Sequence, residues 1–175
     1  MSVLAQRLLA IHAALGDIPH AFGGAIALAY CTEQPRATID LDLNVLVDAQ
    51  DWPAAAAALP AAIVVAQQNR DELDRTGQTR CWWENTPVDL FFNTHPFHQV
   101  AASRVRQVPF AGQTIPVLDC TTLAVFKAFF NRTKDWADLE AMAEAGQLDV
   151  DAVGAFLKEL LGDDERLSRL ADLGT

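Results

Sequence analysis

A strand-like run with two aspartates constrains this chain more than any other stretch. Residues 38–47 read TIDLDLNVLV, and the alternation of polar and apolar residues predicts an extended strand. One face of that strand would carry the polar set Thr38, Asp40, Asp42 and Asn44. Aspartate is among the poorest strand formers, and two carboxylates on one face repel each other unless a cation neutralises them. The run therefore predicts a cation-binding edge of a sheet.

Two further features fit the same chemistry. Gly23 and Gly24 stand between a predicted strand at 18–22 and a helix that begins at residue 25. A glycine pair lets the backbone approach a phosphate, and a helix N-terminus favours an anion. Asp89 lies within a second strand, 87–92, and supplies a third carboxylate. Three carboxylates can hold a pair of Mg²⁺ ions that bind the phosphates of a nucleotide.

The remaining pattern predicts an α/β or α+β fold, with a mixed sheet flanked by helices. We expect an α/β head at residues 1–118, followed by a helical part at 119–175 that packs on the head. Predicted strands lie at 18–22, 38–47, 63–65, 80–83 and 87–92, with a hairpin at 108–117. Predicted helices lie at 3–15, from 25, from 51, and at 96–105, 120–131, 134–145, 151–161 and 164–173. The polar segment 67–78 is expected to be a loop.

Composition excludes several classes of protein. With 51% hydrophobic residues the chain is globular rather than disordered, and no run of 18 apolar residues predicts a membrane span. The first 15 residues lack the pattern of a signal peptide. The three cysteines are odd in number and form no CxxC pair, so we expect no disulfide framework, small buried thiols and a reducing cytoplasm.

Charge is unevenly distributed along the chain. Residues 1–134 hold 10 basic and 12 acidic side chains, a net of −2, whereas residues 135–175 hold 3 and 11, a net of −8. The acidic second part would repel a phosphate backbone. Any nucleic-acid surface is expected in the first part, where five arginines lie: Arg70, Arg75, Arg80, Arg104 and Arg106.

The string from Gly23-Gly24 through Arg36, Thr38, Asp40 and Asp42 resembles the first motif of the nucleotidyltransferase superfamily, the DNA polymerase β-like fold. The likeness is strongest to the AbiEii-type branch, which includes toxins of type IV toxin–antitoxin systems. A later string resembles the helices of that branch, and its polar members are Lys127, Arg132, Asp135 and Asp138. The resemblance covers roughly residues 18–140. The loop before Asp40 is about two residues longer than that branch's pattern, and the chain is short for it.

The resemblance implies a role for each matching residue. Asp40, Asp42 and Asp89 would bind Mg²⁺ (or Mn²⁺), with Asp89 also helping to deprotonate the acceptor hydroxyl. Gly23 and Gly24 would contact the β- and γ-phosphates of an NTP through their N–H groups. Lys127 would neutralise triphosphate charge, and Asp135 would orient Lys127 or touch the nucleotide. Arg36 and Thr38 would make phosphate or structural contacts. A cognate antitoxin is an expected partner.

Other interpretations stay open at this point. Lys127 could be a lysine whose charged end reaches water from an apolar helix, and Asp138 could form a plain surface pair. His95 and His98 lack the further ligands of a zinc site, and alternation leaves at most one of Trp82 and Trp83 outward for base stacking. The acceptor could be RNA, a protein side chain or an antibiotic such as an aminoglycoside. An inactive nucleotide- or protein-binding module is the third possibility.

Overall fold

The computed structural model describes residues 1–34 and 37–174, and within them the chain forms a six-stranded mixed sheet flanked by helices. The predicted fold class is confirmed. The strands are β1 His20–Phe22, β2 Leu41–Asp48, β3 Gln78–Trp83, β4 Thr86–Asn93, β5 Arg106–Phe110 and β6 Gln113–Val117. Their spatial order is β3-β4-β2-β1-β6-β5.

The helices occupy the connections and the whole segment after the sheet. They are α1 Val3–Leu15, α2 Gly24–Thr32, α3 Trp52–Ala58, α4 Gln67–Thr76, α5 Phe97–Ser103, α6 Cys120–Phe130, α7 Thr133–Glu144, α8 Val150–Leu161 and α9 Glu165–Asp172. Aspartates begin three of the last four: Asp119 accepts a hydrogen bond from the Thr122 N–H, Asp149 accepts one from the Ala152 N–H, and Asp164 accepts one from the Arg166 N–H. Side-chain oxygens at these positions satisfy N–H groups that a helix leaves without partners.

Strand β2 lies in the middle of the sheet, antiparallel to β1 and parallel to β4. The apolar residues Leu41, Leu43 and Val45 are buried in the core beneath it. The parallel pairing sets Asp42 directly beside Asp89. A central strand with a buried underside fixes register strongly, because a slip by one residue would expose its apolar side chains.

The helical segment packs against the head through aromatic contacts. The Phe97 ring of α5 lies 5.4 Å from the Phe126 ring of α6 and 5.1 Å from the Phe156 ring of α8. One cluster of buried apolar residues runs through both parts. The last strand, β6, ends at Val117, and the division of the chain into a head and a helical part stays a prediction.

Two predicted elements near the first half of the sheet are wrong. Residues 63–65 make only an isolated bridge, from Ile63 to Trp83, rather than a strand. The segment 67–78, predicted as a loop, holds helix α4 instead. Only Leu73 of α4 is buried, so the sequence lacks the apolar periodicity that would have revealed the helix. The Trp52 indole N–H donates to the Asp74 carboxylate at 2.8 Å and ties α4 to α3.

The cysteine expectation is also corrected. Cys31, in the last turn of α2, and Cys120, the first residue of α6, form a disulfide with their Cα atoms 5.6 Å apart. The two residues are 89 positions apart, a distance at which sequence spacing gives no sign of pairing. Cys81 is the buried free thiol that was expected. Among the described residues, no helix is both long and apolar enough to cross a membrane.

Candidate active site

Three carboxylates meet at one edge of the sheet, and we name Asp40, Asp42 and Asp89 the acidic edge. Asp42 is the second residue of β2, and it pairs in register with Asp89 of β4. Asp40 precedes the strand, because β2 begins at Leu41 rather than at residue 38 as predicted. The Thr38 hydroxyl donates to Asp40 Oδ1 at 2.5 Å. Thr38 thus positions a carboxylate, while Arg36 lies outside the described residues.

Asp42 is the electrostatically uncompensated member of the acidic edge. Burial raises its pKa from 3.8 to about 6, and the neighbouring charges of Asp40 and Asp89 add to the rise. Lys127 and Lys134 act in the opposite direction but do not cancel the effect. A carboxylate that holds its proton this strongly gains free energy when a cation is placed beside it. The acidic edge therefore has the chemistry of a site for a hard cation.

Arg80 occupies part of this edge, a contact that the sequence did not reveal. It stands opposite Asp89 in the β3–β4 pairing, and its Nε and one terminal nitrogen each donate to an Asp89 oxygen at 2.6 Å. The same guanidinium lies 4.0 Å from Asp40. Within residues 1–34 and 37–174 no three acidic, histidine or cysteine side chains converge closely enough to hold a metal ion. Carboxylate oxygens are donors that Mg²⁺ prefers, and Asp89 would be available to such an ion only if Arg80 moved aside.

The glycine pair lies directly against Asp42. The Gly23 N–H donates to the Asp42 carbonyl oxygen at 2.8 Å, so that N–H is already used by the backbone. Gly24 begins α2 with φ at +51°, and a Cβ built there would lie 1.8 Å from Asp42 Oδ2. Only glycine fits at position 24 beside this carboxylate. A phosphate at this turn would therefore meet the N–H of Gly24 and the start of α2 rather than that of Gly23.

A second charge cluster joins α6 to α7, and we name Lys127, Arg132, Asp135 and Asp138 the buried ion network. Lys127 Nζ lies 2.6 Å from Asp138 Oδ2 and 3.8 Å from Asp135 Oδ1. Arg132 donates to both Asp135 oxygens, at 2.6 and 3.1 Å. The lysine is buried, so the idea that its charged end reaches water is wrong. Asp135 lies near Lys127 as predicted, but Asp138 makes the closer contact with that lysine.

An aromatic cavity of about 550 Å³ opens beside these groups. Its polar members include Gly23, Gly24, Asp42, Lys127 and Asp135, so most of the predicted nucleotide-binding residues line one space. Its apolar wall is rich in phenylalanine: Phe91, Phe92, Phe97, Phe126, Phe129 and Phe130. Sequence reasoning missed this wall, because its members come from β4, α5 and α6 and show no shared local pattern.

A second cavity, the cationic groove, lies on the other side of Asp42 and has a volume of about 400 Å³. Four basic side chains line it: Arg75, Arg80, Arg132 and Lys134. Its acidic members are Glu72, Asp42 and Asp89. Asp42 lines both cavities, so it stands where an aromatic space and a cationic space meet.

The two tryptophans lie at different depths, and the two histidines lie beside the aromatic cavity. Trp82 is the outward one, 52% exposed on the same face of β3 as Arg80, whereas Trp83 is partly buried beneath the Arg7 guanidinium. His95 and His98 line the aromatic cavity. His98 Nδ1 lies 3.0 Å from the His95 carbonyl oxygen, and burial lowers the pKa of His98, which favours its neutral form.

Comparison with solved structures places this architecture. The solution structure of the antibiotic-resistance factor ANT(2'')-Ia matches 97% of this chain and 94% of its own, with a TM-score of 0.59 at 12% sequence identity. This chain shares that fold. At such low identity the likeness extends to the fold alone. In sequence, no family model and no curated protein matches the chain.

Two further solved structures are more distant in shape. JHP933 from Helicobacter pylori matches 99% of this chain and 81% of its own, with 18% identity and a TM-score of 0.49. An antigenic nucleotidyltransferase-like protein from Paracoccidioides brasiliensis matches 98% and 89%, with 17% identity and a TM-score of 0.45. Neither likeness is close enough to carry an inference about the site.

Proposed function

We propose that the protein is a Mg²⁺-dependent nucleotidyltransferase that moves a nucleoside monophosphate from an NTP to an acceptor hydroxyl. One observation carries the proposal: Asp42 and Asp89 pair in register on parallel strands, beside Asp40 and against the Gly24 start of α2. A cluster of carboxylates beside an anion-favouring helix terminus suits a metal-bound triphosphate. The fold shared with ANT(2'')-Ia supports the same proposal.

The acidic edge would hold Mg²⁺, which polarises phosphate oxygens and stabilises developing negative charge when bound. Gly24 would donate its N–H to the outer phosphates, and Lys127 and Arg132 would balance their charge. The acceptor oxygen forms a bond to the α-phosphorus, and the bond from that phosphorus to the bridging oxygen breaks, so that pyrophosphate leaves. Asp89 takes the acceptor proton and passes it to water.

The aromatic cavity suits the nucleobase. Its phenylalanine wall offers flat faces for stacking, and its polar rim already includes Gly24, Lys127 and Asp135. In this arrangement Asp135 acts through Lys127, from which it lies 3.8 Å away. Thr38 acts through Asp40, to which it donates a hydrogen bond.

The acceptor separates several versions of the proposal. The AbiEii-like motif favours a toxin-like enzyme that acts on RNA or protein and is paired with an antitoxin. The shared fold with an antibiotic-resistance factor favours an antibiotic acceptor instead. An inactive binding module is disfavoured, because all three carboxylates are present and Asp42 has the raised pKa of an uncompensated site.

Label transfer tests the proposal. Purified protein is incubated with Mg²⁺ and each α-labelled NTP, with RNA, cell lysate or an antibiotic panel in separate reactions. We expect label in one acceptor class with wild type and none with an Asp40→Asn/Asp42→Asn double variant. An Asp71→Asn/Asp163→Asn variant removes two charges from exposed positions and should transfer normally. No transfer, together with equal NTP binding by wild type and the acidic-edge variant, would leave the binding module as the better description.

A further inference from the structure

The cationic groove bears on which acceptor the site takes. Arg75 and Lys134 are exposed, and neither forms an ion pair with any residue that the structure describes. Arg80 and Arg132 add two more cationic groups to the same groove. The groove also holds Glu72, Asp42 and Asp89, and Arg80 and Arg132 already contact carboxylates, so Arg75 and Lys134 are its cations most available to an anionic group. The adjoining aromatic cavity is the space assigned to the NTP, which leaves the groove for the acceptor.

Arg80 holds the carboxylate that the reaction needs. Its two donated hydrogen bonds occupy both oxygens of Asp89, which would otherwise bind a cation and take a proton. The Arg80 side chain is half exposed, so an incoming anion can reach it, but its two-pronged contact is stronger than an ordinary surface ion pair. Only an anion that offers the same two-pronged geometry would exchange for Asp89.

A phosphate group is a well-matched competitor for Arg80. A guanidinium binds phosphate and carboxylate in the same two-pronged geometry, so a phosphate can replace Asp89 without loss of hydrogen bonds. Arg75 and Lys134 would add charge on either side. A neutral or cationic acceptor has no group that could draw Arg80 from Asp89.

We propose that Arg80 is a specificity-determining residue that pairs with Asp89 until an acceptor carrying a phosphate near its hydroxyl takes its place. The inference rests on the proposed nucleotidyl transfer and names the acceptor class as phosphate-bearing. The source of the phosphate is a sugar phosphate or the end of an RNA strand. Trp82, exposed two residues along β3 from Arg80, distinguishes them, because it offers a stacking face that only an RNA base would use.

Binding without catalysis provides the first test. A fluorescent ten-residue oligoribonucleotide should bind wild type and lose about tenfold in affinity with Arg80→Gln, with ribose 5-phosphate as competitor and ribose as its control. Lys158→Gln, which removes an exposed charge from α8, should bind like wild type. If RNA is the acceptor, Trp82→Ala should weaken binding of the oligoribonucleotide and leave binding of ribose 5-phosphate unchanged. Equal binding by Arg80→Gln and wild type would overturn the proposal.

Metal binding tests the pairing of Arg80 with Asp89 separately. In the absence of phosphate, Arg80→Gln should bind Mn²⁺ about fivefold more tightly than wild type, as measured by the electron paramagnetic resonance of free Mn²⁺. Lys158→Gln should match wild type, and unchanged affinity in Arg80→Gln would refute the pairing. Circular dichroism checks that each variant folds.

Transfer assays separate this inference from the proposed function. Wild type should favour ribose 5-phosphate or RNA over ribose by tenfold or more in kcat/KM, and Arg80→Gln should lose that preference. Efficient transfer to a polycationic aminosugar would overturn the inference and leave the function intact. Absence of all transfer would defeat the proposed function, whereas the binding experiments would still decide whether Arg80 exchanges Asp89 for phosphate.

Discussion

The acidic edge and the buried ion network contain similar groups in opposite electrostatic states. The acidic edge sets three carboxylates against one half-exposed guanidinium, and one of its members keeps a pKa of about 6. The buried ion network sets two buried carboxylates against a lysine and an arginine, with contacts as short as 2.6 Å. The acidic edge therefore leaves the Asp42 carboxylate poorly compensated, whereas both carboxylates of the buried ion network contact a cationic side chain.

The difference separates a cluster that would gain from an added cation from one whose carboxylates already contact cationic side chains. A buried network whose carboxylates contact cations gains little from an added cation, but it is costly to break, because a buried charge that loses a close partner is poorly compensated. The uncompensated carboxylates of the acidic edge lower the stability of the folded protein, and a bound cation raises it again. The following substitutions test this distinction, from the largest expected effect to the smallest.

Removal of Lys127 should give the largest loss of stability. Lys127→Met leaves Asp138 without its 2.6 Å lysine contact in a buried position, and we expect the free energy of unfolding to fall by about 3–5 kcal/mol. Urea denaturation measures the loss. The double variant Lys127→Met/Asp138→Asn removes both charges and should recover more than half of it. A double variant no more stable than the single one would show that Lys127 is not balanced by Asp138.

The disulfide between α2 and α6 should come next. Closing an 89-residue separation restricts the unfolded chain, and we expect its loss to cost about 2–4 kcal/mol. Unfolding of wild type is measured with and without a reductant, alongside a Cys31→Ser/Cys120→Ser variant. The reductant should lower the stability of wild type and leave the variant unchanged. Sensitivity of the variant to reductant would assign the effect to another group.

Asp42→Asn should stabilise the metal-free protein, the opposite of the usual result for a charged site. Its folded pKa of about 6 lies above the 3.8 of an unperturbed carboxyl, so the folded protein binds more protons than the unfolded chain between these values. The contribution of Asp42 to the free energy of unfolding is therefore fully present below about pH 4, and it is lost as pH rises through 6. The full shift corresponds to about 3 kcal/mol. We expect a gain of about 2 kcal/mol at pH 7, because Asn keeps part of the desolvation cost.

Thermal unfolding of Asp42→Asn across pH 4 to 8 checks both the sign and the window. The gain should disappear near pH 4 and be complete by pH 7. Asp163→Asn, at a highly exposed position, serves as the matched control and should track wild type at every pH. A gain of equal size at all pH values would mean that packing, rather than charge, accounts for it.

Divalent cations should produce the smallest of these effects. At a Mg²⁺ concentration ten times its dissociation constant, binding to the folded state adds about 1.4 kcal/mol. The melting temperature of wild type should rise with Mg²⁺, while that of an Asp40→Asn/Asp42→Asn variant should not. An equal rise in both proteins would place the cation away from the acidic edge.

The sequence was informative where local patterns determine structure. Alternation identified β2 and β4, and the two aspartates identified the edge at which they meet. The hairpin around residues 111–112 was also predicted, and the structure gives Ala111 and Gly112 positive φ values of 48° and 82°. These features depend on neighbours along the chain, which a sequence displays directly.

Contacts between distant segments could not be predicted. The pairing of Arg80 with Asp89 depends on the register of β3 on β4, and the disulfide depends on where two helix ends meet. Strand β2 was predicted to begin three residues too early, because alternation continues through Thr38 to Asp40 although these residues precede the strand. Asp138 was interpreted as part of a surface pair, whereas it is a buried partner of Lys127. The two arrangements have the same sequence spacing, so the sequence could not separate them.

The close approach of Gly24 to Asp42 has a consequence for the order of events in solution. The carboxylate of Asp42 already lies against the positive end of α2, where a triphosphate would dock. An incoming nucleotide would meet that negative charge unless a cation had masked it. We therefore expect compulsory ordered addition, in which nucleotide affinity is low in chelator and rises once Mg²⁺ is present, and Asp42→Asn would weaken this dependence.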